Sequence, residues 1–387
     1  MSVKTVICVL WAVSVGQTAG SQHGPNIIIM LMDDMGWGDL GVFGEPSKET
    51  PNLDLMAAQG MLFPNFYTAN PLCSPCMCCF WACLYLSITM SLFGILAYCC
   101  LLHITVCCGK TLCDLSCSYG DAVMELDDSI GQILAHLVSL GIHNNTLVFF
   151  TSDNGAAVMS GPHQSGSNGP FLCGKETTFE GGMREPAIAW WPGRIPAGTV
   201  SHQLASVMDL FSTSLSVAGV LPPDDRVIDG LDLSPVLINN SLLDRPIFYY
   251  RGNQMMAVRI GQYKVHYWTW SNSWEEFNTG INFCPGQEVP GVTTHTQEEH
   301  TMQPLIFHLG QDPGERYPIS VQSEEYQDVH RQVTAVVEQH QKDLIPGMPQ
   351  LNMCDLAVMN WSPPGCEQLG KCLKPPESNP WKCVWPH

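Results

Sequence analysis

The chain has 387 residues and a net charge of −19, with 17 Lys and Arg against 36 Asp and Glu. Its length allows two or three domains and an ample core. The acidic balance and the absence of basic runs argue against a nucleic-acid-binding protein, because phosphate neutralisation needs clustered Lys and Arg. The hydrophobic content of 45% argues against disorder.

The first twenty residues have the pattern of a secretory signal peptide. Lys4 supplies a positive charge, Val6 to Val15 an apolar stretch, and Thr18 to Gly20 the small residues needed for cleavage. A short buried strand is the alternative, and the polar residues from Gln17 to Gly24 fit it poorly. We therefore expect residues 1–20 to direct the chain into the oxidising secretory pathway.

A buried strand follows, with acidic residues at its end. Ile27 to Met32 is a continuous apolar run that stops at Asp33 and Asp34. Such a run is typical of a strand covered on both faces, as in a parallel sheet. Open α/β sheets place their sites at the carboxyl ends of such strands.

A long uncharged segment comes next. No Asp, Glu, Lys or Arg lies between Leu55 and Gly109, and eleven of the 18 cysteines lie between Cys73 and Cys117. Residues 79–105 are long and apolar enough to be a transmembrane candidate. Their composition breaks sharply from both flanks, which favours a segment foreign to the native protein. Cys73 itself, before Ser74 and Pro75, fits a nucleophile, a disulfide partner or a buried small residue equally well.

The α/β pattern then resumes. Apolar residues at helical spacing predict an amphipathic helix over Tyr119 to Leu140, whose acidic residues Glu125, Asp127 and Asp128 we expect to be solvated. Leu147 to Ser152 predicts a second buried strand, which ends at Asp153 and Asn154. Strands that alternate with helices predict an α/β sandwich with a mostly parallel central sheet.

The two matched strand ends predict a metal site. Asp33, Asp34, Asp153 and Asn154 offer oxygen ligands that suit a hard cation such as Ca²⁺ or Mg²⁺. Each residue taken singly fits a helix cap or a turn instead. Lys175, in the Gly-rich stretch that follows, is a candidate for binding an anionic ester, or else a surface lysine. His163 is a further acid/base candidate in the same stretch, and a loop histidine with no chemical role is the favoured interpretation.

The remaining sequence predicts a smaller domain and a tail. Ala187 to Trp191 predicts another buried strand. From about Arg245 the chain becomes aromatic and turn-rich, which indicates a domain with an antiparallel sheet. The tail after Pro346 is rich in Pro and Cys, so we expect disulfides to hold it. Three glycosylation acceptors of the form Asn-x-Ser/Thr are present, at Asn144, Asn239 and Asn360.

These residues together resemble the sulfatases. The resemblance covers nearly all of the chain except about Cys76 to Ser118, and it is carried by several motifs: Pro25 to Gly41, Thr50 to Asp54, Phe63 to Tyr67, Thr151 to Gly155, Gly174 to Pro186, Asp209 to Phe211, Asp229 to Leu231 and Asp312 to Glu315.

The resemblance implies a fold, a reaction and a set of site residues. The fold is an alkaline-phosphatase-like α/β sandwich, and the reaction is lysosomal hydrolysis of 6-sulfate from N-acetylgalactosamine or galactose in chondroitin and keratan sulfate. It also implies a homodimer. One Ca²⁺ would be held by Asp33, Asp34, Asp153 and Asn154, and by the residue at Cys73. Cys73 would be the catalytic cysteine that is oxidised to formylglycine, and Lys175 would bind the sulfate.

The late cysteines are expected to form disulfides. We expect Cys173 to pair with Cys284, and the remaining four to pair among themselves: Cys354, Cys366, Cys372 and Cys383. The nested arrangement, 354 with 383 and 366 with 372, is one of three possible connectivities.

The sequence departs from the family pattern at its catalytic motif. The family signature for formylglycine formation is Cys-x-Pro-x-Arg, and here Met77 stands where the arginine belongs. The downstream family motifs Gly-Lys-Trp-His-Leu-Gly and His-x-Pro, which supply a lysine and two histidines, are absent. We hypothesise that residues 76–118 are translated intron, a mis-joined exon or a frameshift, and we expect the chain as written to be inactive.

Three functional hypotheses follow. The chain is a damaged copy of an active sulfatase, or a catalytically dead relative retained in the membrane by residues 79–105, or a related phosphodiesterase. The third would use Thr or Ser as nucleophile and commonly two metals, so Cys73 and the missing second set of ligands argue against it. The expected domains are a catalytic domain over 24–244, an antiparallel domain over 245–346 and a disulfide-held tail over 347–387.

Overall fold

The fold is that of a computed structural model. It describes residues 6–15, 24–44, 49–71, 95–104, 118–160, 165–225, 227–251, 254–269 and 298–345, and the single residues 284, 289 and 292. The predicted tail and its four cysteines lie outside the described residues. So do Cys73, His163 and Asn360, and most of the segment 76–118.

The larger domain is built on an eight-stranded sheet. In chain order its strands are β1 (Val6–Val15), β2 (Asn26–Met32), β3 (Met61–Tyr67), β4 (Ile95–Ile104), β5 (Thr146–Ser152), β6 (Arg184–Trp190), β7 (Thr199–Val200) and β8 (Ala205–Ser206). Their spatial order is β4-β1-β2-β5-β6-β3-β7, and β8 also pairs with β3. The strands predicted at Ile27, Leu147 and Ala187 are therefore neighbours at the centre of the sheet.

The sheet is mixed rather than mostly parallel. The central pair β2 and β5 is parallel, and β3 pairs in parallel with β7 and β8. The pairings of β1 with β2 and β4, of β5 with β6, and of β3 with β6 are antiparallel. A parallel return needs a crossover, usually a helix. Between β5 and β6, the described residues contain one 3₁₀ helix of three residues and one α-helix of four residues. Neither is long enough for a crossover, and β6 runs antiparallel to β5.

Two strands lie in segments that the sequence analysis interprets otherwise, as a signal peptide and as a foreign segment. Val6–Val15, inside the predicted signal peptide, pairs with β2 and along its whole length with β4, which lies in the uncharged segment. This is the strand alternative that the sequence analysis disfavoured, and cleavage after residue 20 stays a prediction. None of the helices in the described part of the chain is both long and apolar enough to cross a membrane.

Helices cover both faces of the sheet, which confirms the α/β sandwich. They are α1 (Pro51–Ala58), α2 (Ser118–Ser139), α3 (Glu180–Met183), α4 (Asp209–Ala218), α5 (Ser234–Asn239) and α6 (Glu324–Asp343). Short 3₁₀ helices span Trp37–Asp39, Gly41–Phe43, His143–Asn145 and Val158–Ser160. Helices α1 and α2 pack on the face that carries Met30 and Phe150, and α4 and α5 pack on the face that carries Ile29 and Phe149.

The predicted helix at Tyr119 is present, but one of its acidic residues is not solvated. Asp127 is buried, and its carboxylate accepts hydrogen bonds from the backbone N–H groups of Asn52 (3.0 Å) and Leu53 (2.8 Å). These are among the unpaired donors of the first turn of α1, so Asp127 caps that helix from α2. The expectation for Asp127 was wrong because its partner lies 75 residues earlier in the chain.

The smaller domain is antiparallel, as predicted. Strands β9 (Ile247–Arg251), β10 (Gln254–Ile260), β11 (Tyr263–His266) and β14 (Leu305–His308) form one sheet in the order β14-β11-β10-β9. Strands β12 (Trp268–Thr269) and β13 (Glu298–Glu299) form a separate pair. Helix α6 covers the sheet through Tyr326, Val329, Val333 and Val337, which repeat at helical spacing and are all buried.

A buried ionic cluster joins the two domains. Glu180 at the start of α3 and Glu315 are both fully buried, and Lys264 from β11 lies 3.0 Å from a Glu180 oxygen and 3.1 Å from a Glu315 oxygen. His266 Nε2 lies 2.7 Å from the same Glu315 oxygen. The Glu180 backbone N–H donates to the other Glu315 oxygen over 2.6 Å. A buried charge needs several partners of this kind, because burial removes its hydration and that loss is unfavourable in free energy.

Removing one member of this cluster is expected to destabilise the protein strongly. Glu315→Ala leaves Lys264 buried without one of its carboxylates, and we expect a loss of about 3–5 kcal/mol in the free energy of unfolding at pH 7. Urea unfolding measures it. The control is Asp328→Ala, which breaks the exposed ion pair with Arg331 and should change stability by less than about 1 kcal/mol. Equal effects of the two substitutions would contradict the role of the cluster.

The Glu315 effect should also depend on pH. Burial alone would raise the pKa of Glu315, but Lys264, His266 and the Glu180 N–H lower that pKa to about 2. A carboxyl whose pKa is lower in the folded state than in the unfolded state stabilises the fold at pH values above its usual pKa of about 4.5. This contribution is lost as the pH falls toward 2. The difference between parent and Glu315→Ala should therefore shrink between pH 4.5 and pH 2.

Candidate active site

The site begins where β2 and β5 end. These strands run parallel with Met32 opposite Ser152, so Asp33 and Asp153 leave the sheet side by side. The Asp153 backbone N–H donates to the Met32 carbonyl over 3.0 Å and extends the pairing by one residue. The predicted convergence of the two strand ends is present in the structure.

Three carboxylates meet at this edge of the sheet. One oxygen each from Asp33, Asp34 and Asp153 lies within 4.8 Å of the others. Asp34 has a left-handed backbone, with φ of 61°, and its N–H donates to Asp153 Oδ1 over 3.1 Å. The left-handed residue is uncommon for Asp, and here it turns the chain so that both carboxylates after β2 stay near Asp153.

Asn154 and Lys175 complete the predicted group. Asn154 Nδ2 donates to Asp34 Oδ1 over 2.8 Å, and Lys175 Nζ donates to the same oxygen over 2.5 Å. Lys175 reaches this point because its backbone N–H donates to the Ala156 carbonyl over 3.0 Å, just beyond the second strand end. The structure thus brings together five of the predicted site residues: Asp33, Asp34, Asp153, Asn154 and Lys175.

The charges of this group do not balance. Three carboxylates face one ammonium, and burial together with the Asp33 and Asp34 carboxylates raises the pKa of Asp153 well above its usual range. Asp153 Oδ2 and Asn154 Oδ1 are buried without a hydrogen-bond partner among the described residues. Unsatisfied buried oxygens in an acidic group are the ligands that Ca²⁺ prefers, so the residues present fit the predicted cation.

Glycines hold the surrounding loops in close contact. A Cβ on Gly155 would lie 1.8 Å from the Gly181 carbonyl oxygen, and one on Gly182 would lie 2.2 Å from the Thr177 carbonyl oxygen. Only glycine permits this approach of backbone to backbone. The loop that carries Lys175 is therefore packed against the loop after Asp153 and against α3.

The chain segment that leads to Cys73 crosses the same region. Thr68 Oγ1 donates to the Asp153 carbonyl over 2.5 Å, and the Glu176 N–H donates to the Pro71 carbonyl over 2.8 Å. Pro71 precedes Cys73 by two residues, and Cys73 lies outside the described residues. The described segment therefore approaches Asp153 and the residue that follows Lys175.

Glu176 is a site residue that the sequence analysis missed. It is buried beside Lys175, and its backbone is left-handed with φ of 71°. Burial raises the pKa of its carboxyl to about 7, with Lys175 and Arg251 opposing the rise and Asp34 adding to it. Nothing local distinguishes a Glu after a Lys from a solvated residue, so only the folded chain identifies it.

Other predicted residues have mixed outcomes. The disulfide between Cys173 and Cys284 is present, with Cα atoms 4.5 Å apart. Asn144 and Asn239 are exposed, as glycosylation acceptors must be, and their modification stays a prediction. Nothing described bears on Asn360 or on the four late cysteines.

The Glu176 carboxyl predicts an unusual pH dependence for the cation-free protein. Its pKa is higher in the folded state than the usual 4.5, so its contribution to stability is greatest below pH 4.5 and is lost as the pH rises through 7. In the parent, we expect this carboxyl to lower the free energy of unfolding by about 3 kcal/mol between pH 4.5 and pH 7, and we expect Glu176→Gln to abolish that decrease. Urea unfolding with a chelator present, from pH 4 to pH 8, measures it. The exposed Glu125→Gln serves as control, and parallel profiles for parent and Glu176→Gln would contradict the assignment.

Comparisons with known proteins identify the family. The sulfatase family model matches residues 25–93 and 114–220, and the model of the C-terminal region of aryl-sulfatase matches residues 243–374. The chain is 49% identical to N-acetylgalactosamine-6-sulfatase of Canis lupus familiaris, over 99% of this chain and 98% of that protein. It is 47% identical to the Homo sapiens protein of the same name, over 95% of each.

The comparisons also show a break in the match. The sulfatase model is interrupted between residues 93 and 114, so it breaks in the middle of the predicted foreign segment 76–118 and matches both of its ends, which the expected bounds had excluded. The alignment with the dog protein spans 512 positions, 125 more than the 387 residues of this chain. That relative therefore has at least 125 residues with no counterpart here.

A solved structure supports the fold. The PsFucS1 sulfatase from Pseudoalteromonas sp. aligns with a TM-score of 0.63 and 20% identity, over 82% of this chain and 91% of that one. The sequence identity, the two family models and this shared fold agree, and the chain belongs to the sulfatase family.

Proposed function

We propose that this chain is a sulfuric ester hydrolase by descent that keeps cation and sulfate binding and has lost turnover. The proposed ligand class is the 6-sulfate ester of N-acetylgalactosamine or galactose, as in chondroitin and keratan sulfate. The similarity to N-acetylgalactosamine-6-sulfatases supports this substrate class. The retained site residues support the binding, and the altered catalytic motif supports the loss of turnover.

The convergence of Asp33, Asp34, Asp153 and Asn154 with Lys175 carries the proposal. The first four would hold one Ca²⁺, together with the residue at position 73, and a bound cation would stabilise charge on the sulfuryl oxygens. Lys175 has its ammonium 2.5 Å from Asp34 Oδ1, and its positive charge suits the anionic sulfate ester. Asp34 thereby positions Lys175 between the proposed cation and the proposed ester.

The proposed loss of turnover concerns Cys73. A thiol that captured a sulfuryl group has no second hydroxyl through which to expel sulfate, whereas a hydrated aldehyde has one. The signature that directs this oxidation lacks its arginine, since Met77 stands in that place. Two family motifs that contribute a lysine and two histidines are also missing. The alternative from another class is a protein whose residues 76–118 are native, so that it is not a damaged copy of an active enzyme but a catalytically dead binding protein, retained at a membrane by residues 79–105.

We further propose that residues 76–118 replace native sequence. The interrupted family match and the 125 additional alignment positions support this. Full-length cDNA sequencing across codons 70–120 tests it: reads that restore an arginine at position 77 and the missing motifs support the proposal, and reads that reproduce the segment contradict it.

The proposed location is the secretory pathway and the lysosome. The signal-like N-terminus, the disulfide between Cys173 and Cys284, and the exposed acceptors Asn144 and Asn239 are consistent with an oxidising compartment. A homodimer is proposed from the family resemblance alone.

Calcium binding is the first test of the proposed site. Asp153→Asn removes the most deeply buried carboxylate, and we expect it to weaken Ca²⁺ binding by more than about 100-fold, measured by isothermal titration calorimetry on the full chain. Asp224→Asn, which removes one exposed charge, is the control and should leave affinity unchanged. A parent chain that binds no Ca²⁺ would overturn the proposed cation site.

Turnover is the second test. We expect the full chain to release no sulfate from a 6-sulfated galactoside above the level of a Cys73→Ala variant, because Cys73 stays a thiol. The dog N-acetylgalactosamine-6-sulfatase, expressed and assayed in parallel, shows whether the assay works. Sulfate release by the parent that the Cys73→Ala variant lacks would contradict the proposed inactivity.

A further inference from the structure

Glu185 is a buried carboxylate for which the site described above has no use. Its side chain is fully buried, and both carboxyl oxygens are without a hydrogen-bond partner among the described residues. A buried carboxylate with no donor is expensive to keep, since burial removes its hydration without replacement. The contrast with Glu180 and Glu315 is direct, because those two buried carboxylates have Lys, Arg or His partners.

The strand register places Glu185 against the proposed cation site. Strands β5 and β6 are antiparallel, and their pairing ends with Thr151 opposite Ala187. Beyond that pair, the Gly155 N–H donates to the Gly182 carbonyl over 3.2 Å. Asp153 and Glu185 therefore lie between these two contacts, and both side chains are buried.

Among the described residues, the carboxylates at this place outnumber the cations. There, Asp153 Oδ2 and both Glu185 oxygens have no hydrogen-bond partner, and Lys175 pairs with Asp34. Burial raises the pKa of Glu185 well above its usual range, and Asp153 and Asp34 raise it further. A divalent cation at Asp33, Asp34 and Asp153 would offset most of the negative field of these carboxylates.

We propose that Glu185 is a positioning residue of the cation site, whose negative charge behind Asp153 increases the affinity for a divalent cation without contacting it. The inference rests on the cation site proposed above. Carboxylates that support a metal ligand in this way commonly contribute about 10- to 100-fold in metal affinity. If Glu185 only filled space, a neutral side chain of similar size would give the same cation affinity.

Substitutions that separate charge from volume test the proposal. Glu185→Gln and Glu185→Met remove the charge at similar size, and Glu185→Asp keeps it. Calorimetric titration of each full-length variant with Ca²⁺ should give an affinity about 10- to 100-fold weaker for the two neutral variants. Glu185→Asp should retain more of the parent affinity than either. Glu125→Gln, on the exposed face of α2, makes the same change in net charge and should bind as the parent does.

Thermal unfolding gives a second readout that a structural role would not produce. With a chelator present, the neutral variants should unfold at the same temperature as the parent or higher, because Glu185 has no hydrogen-bond partner among the described residues for them to lose. With Ca²⁺ present, their gain in unfolding temperature should be smaller than that of the parent. Should Glu185→Gln not fold, Glu185→Met carries both measurements.

The outcomes separate this inference from the proposed function. If the parent binds Ca²⁺ and a folded neutral variant binds it equally well, Glu185 has no role in the site and the inference is wrong. If the parent itself binds no Ca²⁺, the cation site fails and the inference fails with it. Weakened binding by both neutral variants, with recovery in Glu185→Asp, is the result expected here.

Discussion

The parallel pairing of β2 with β5 is the constraint on which the site depends. Because Met32 lies opposite Ser152, two acidic strand ends that are 120 residues apart in the chain leave the sheet together. The side chains of both strands are buried on both faces of the sheet, so each strand contributes to two apolar layers of the core. The hydrophobic core of the sandwich therefore sets the spacing of the carboxylates.

Buried charge is handled in two opposite ways in this protein. At the junction of the domains, Lys264 lies within salt-bridge distance of both Glu180 and Glu315, and this pairing lowers the carboxyl pKa of Glu315. At the strand ends, burial raises the pKa of Asp153 and of Glu185, and acidic neighbours raise both further. The first arrangement stabilises the fold by itself, whereas the second is the one that the proposed cation would stabilise.

The sequence was sufficient for those features that depend on local pattern. Apolar runs with polar ends gave the central strands and the residues that follow them, Asp33, Asp34, Asp153 and Asn154, and Lys175 came from the Gly-rich stretch after the second strand. It was insufficient where a side chain acts on a distant partner: Asp127 caps a helix 75 residues away, and Glu185 comes near Asp153 only through the pairing of β5 with β6. The mixed direction of the sheet was missed because strand polarity depends on connections, which composition does not encode.

Membership of the sulfatase family is shown, whereas the proposed cation site and the proposed loss of turnover depend on different parts of the chain. The proposed cation ligands follow the central strands of the core, and Cys73, the proposed catalytic residue, lies upstream of the break in the family match after residue 93. The proposed loss of turnover with retained binding would follow from a change confined to residues 76–118. For the same reason, which sulfate ester the chain binds and whether the chain hydrolyses that ester have to be measured separately.

The state of residue 73 tests the central claim most directly. The chain would be expressed through the secretory pathway beside the dog N-acetylgalactosamine-6-sulfatase, and the peptide that contains Cys73 would be analysed by mass spectrometry after alkylation of thiols. We predict that residue 73 is recovered as cysteine, alkylated or in a disulfide, while the dog enzyme carries formylglycine in the matching peptide. Formylglycine at residue 73 of this chain would contradict the account.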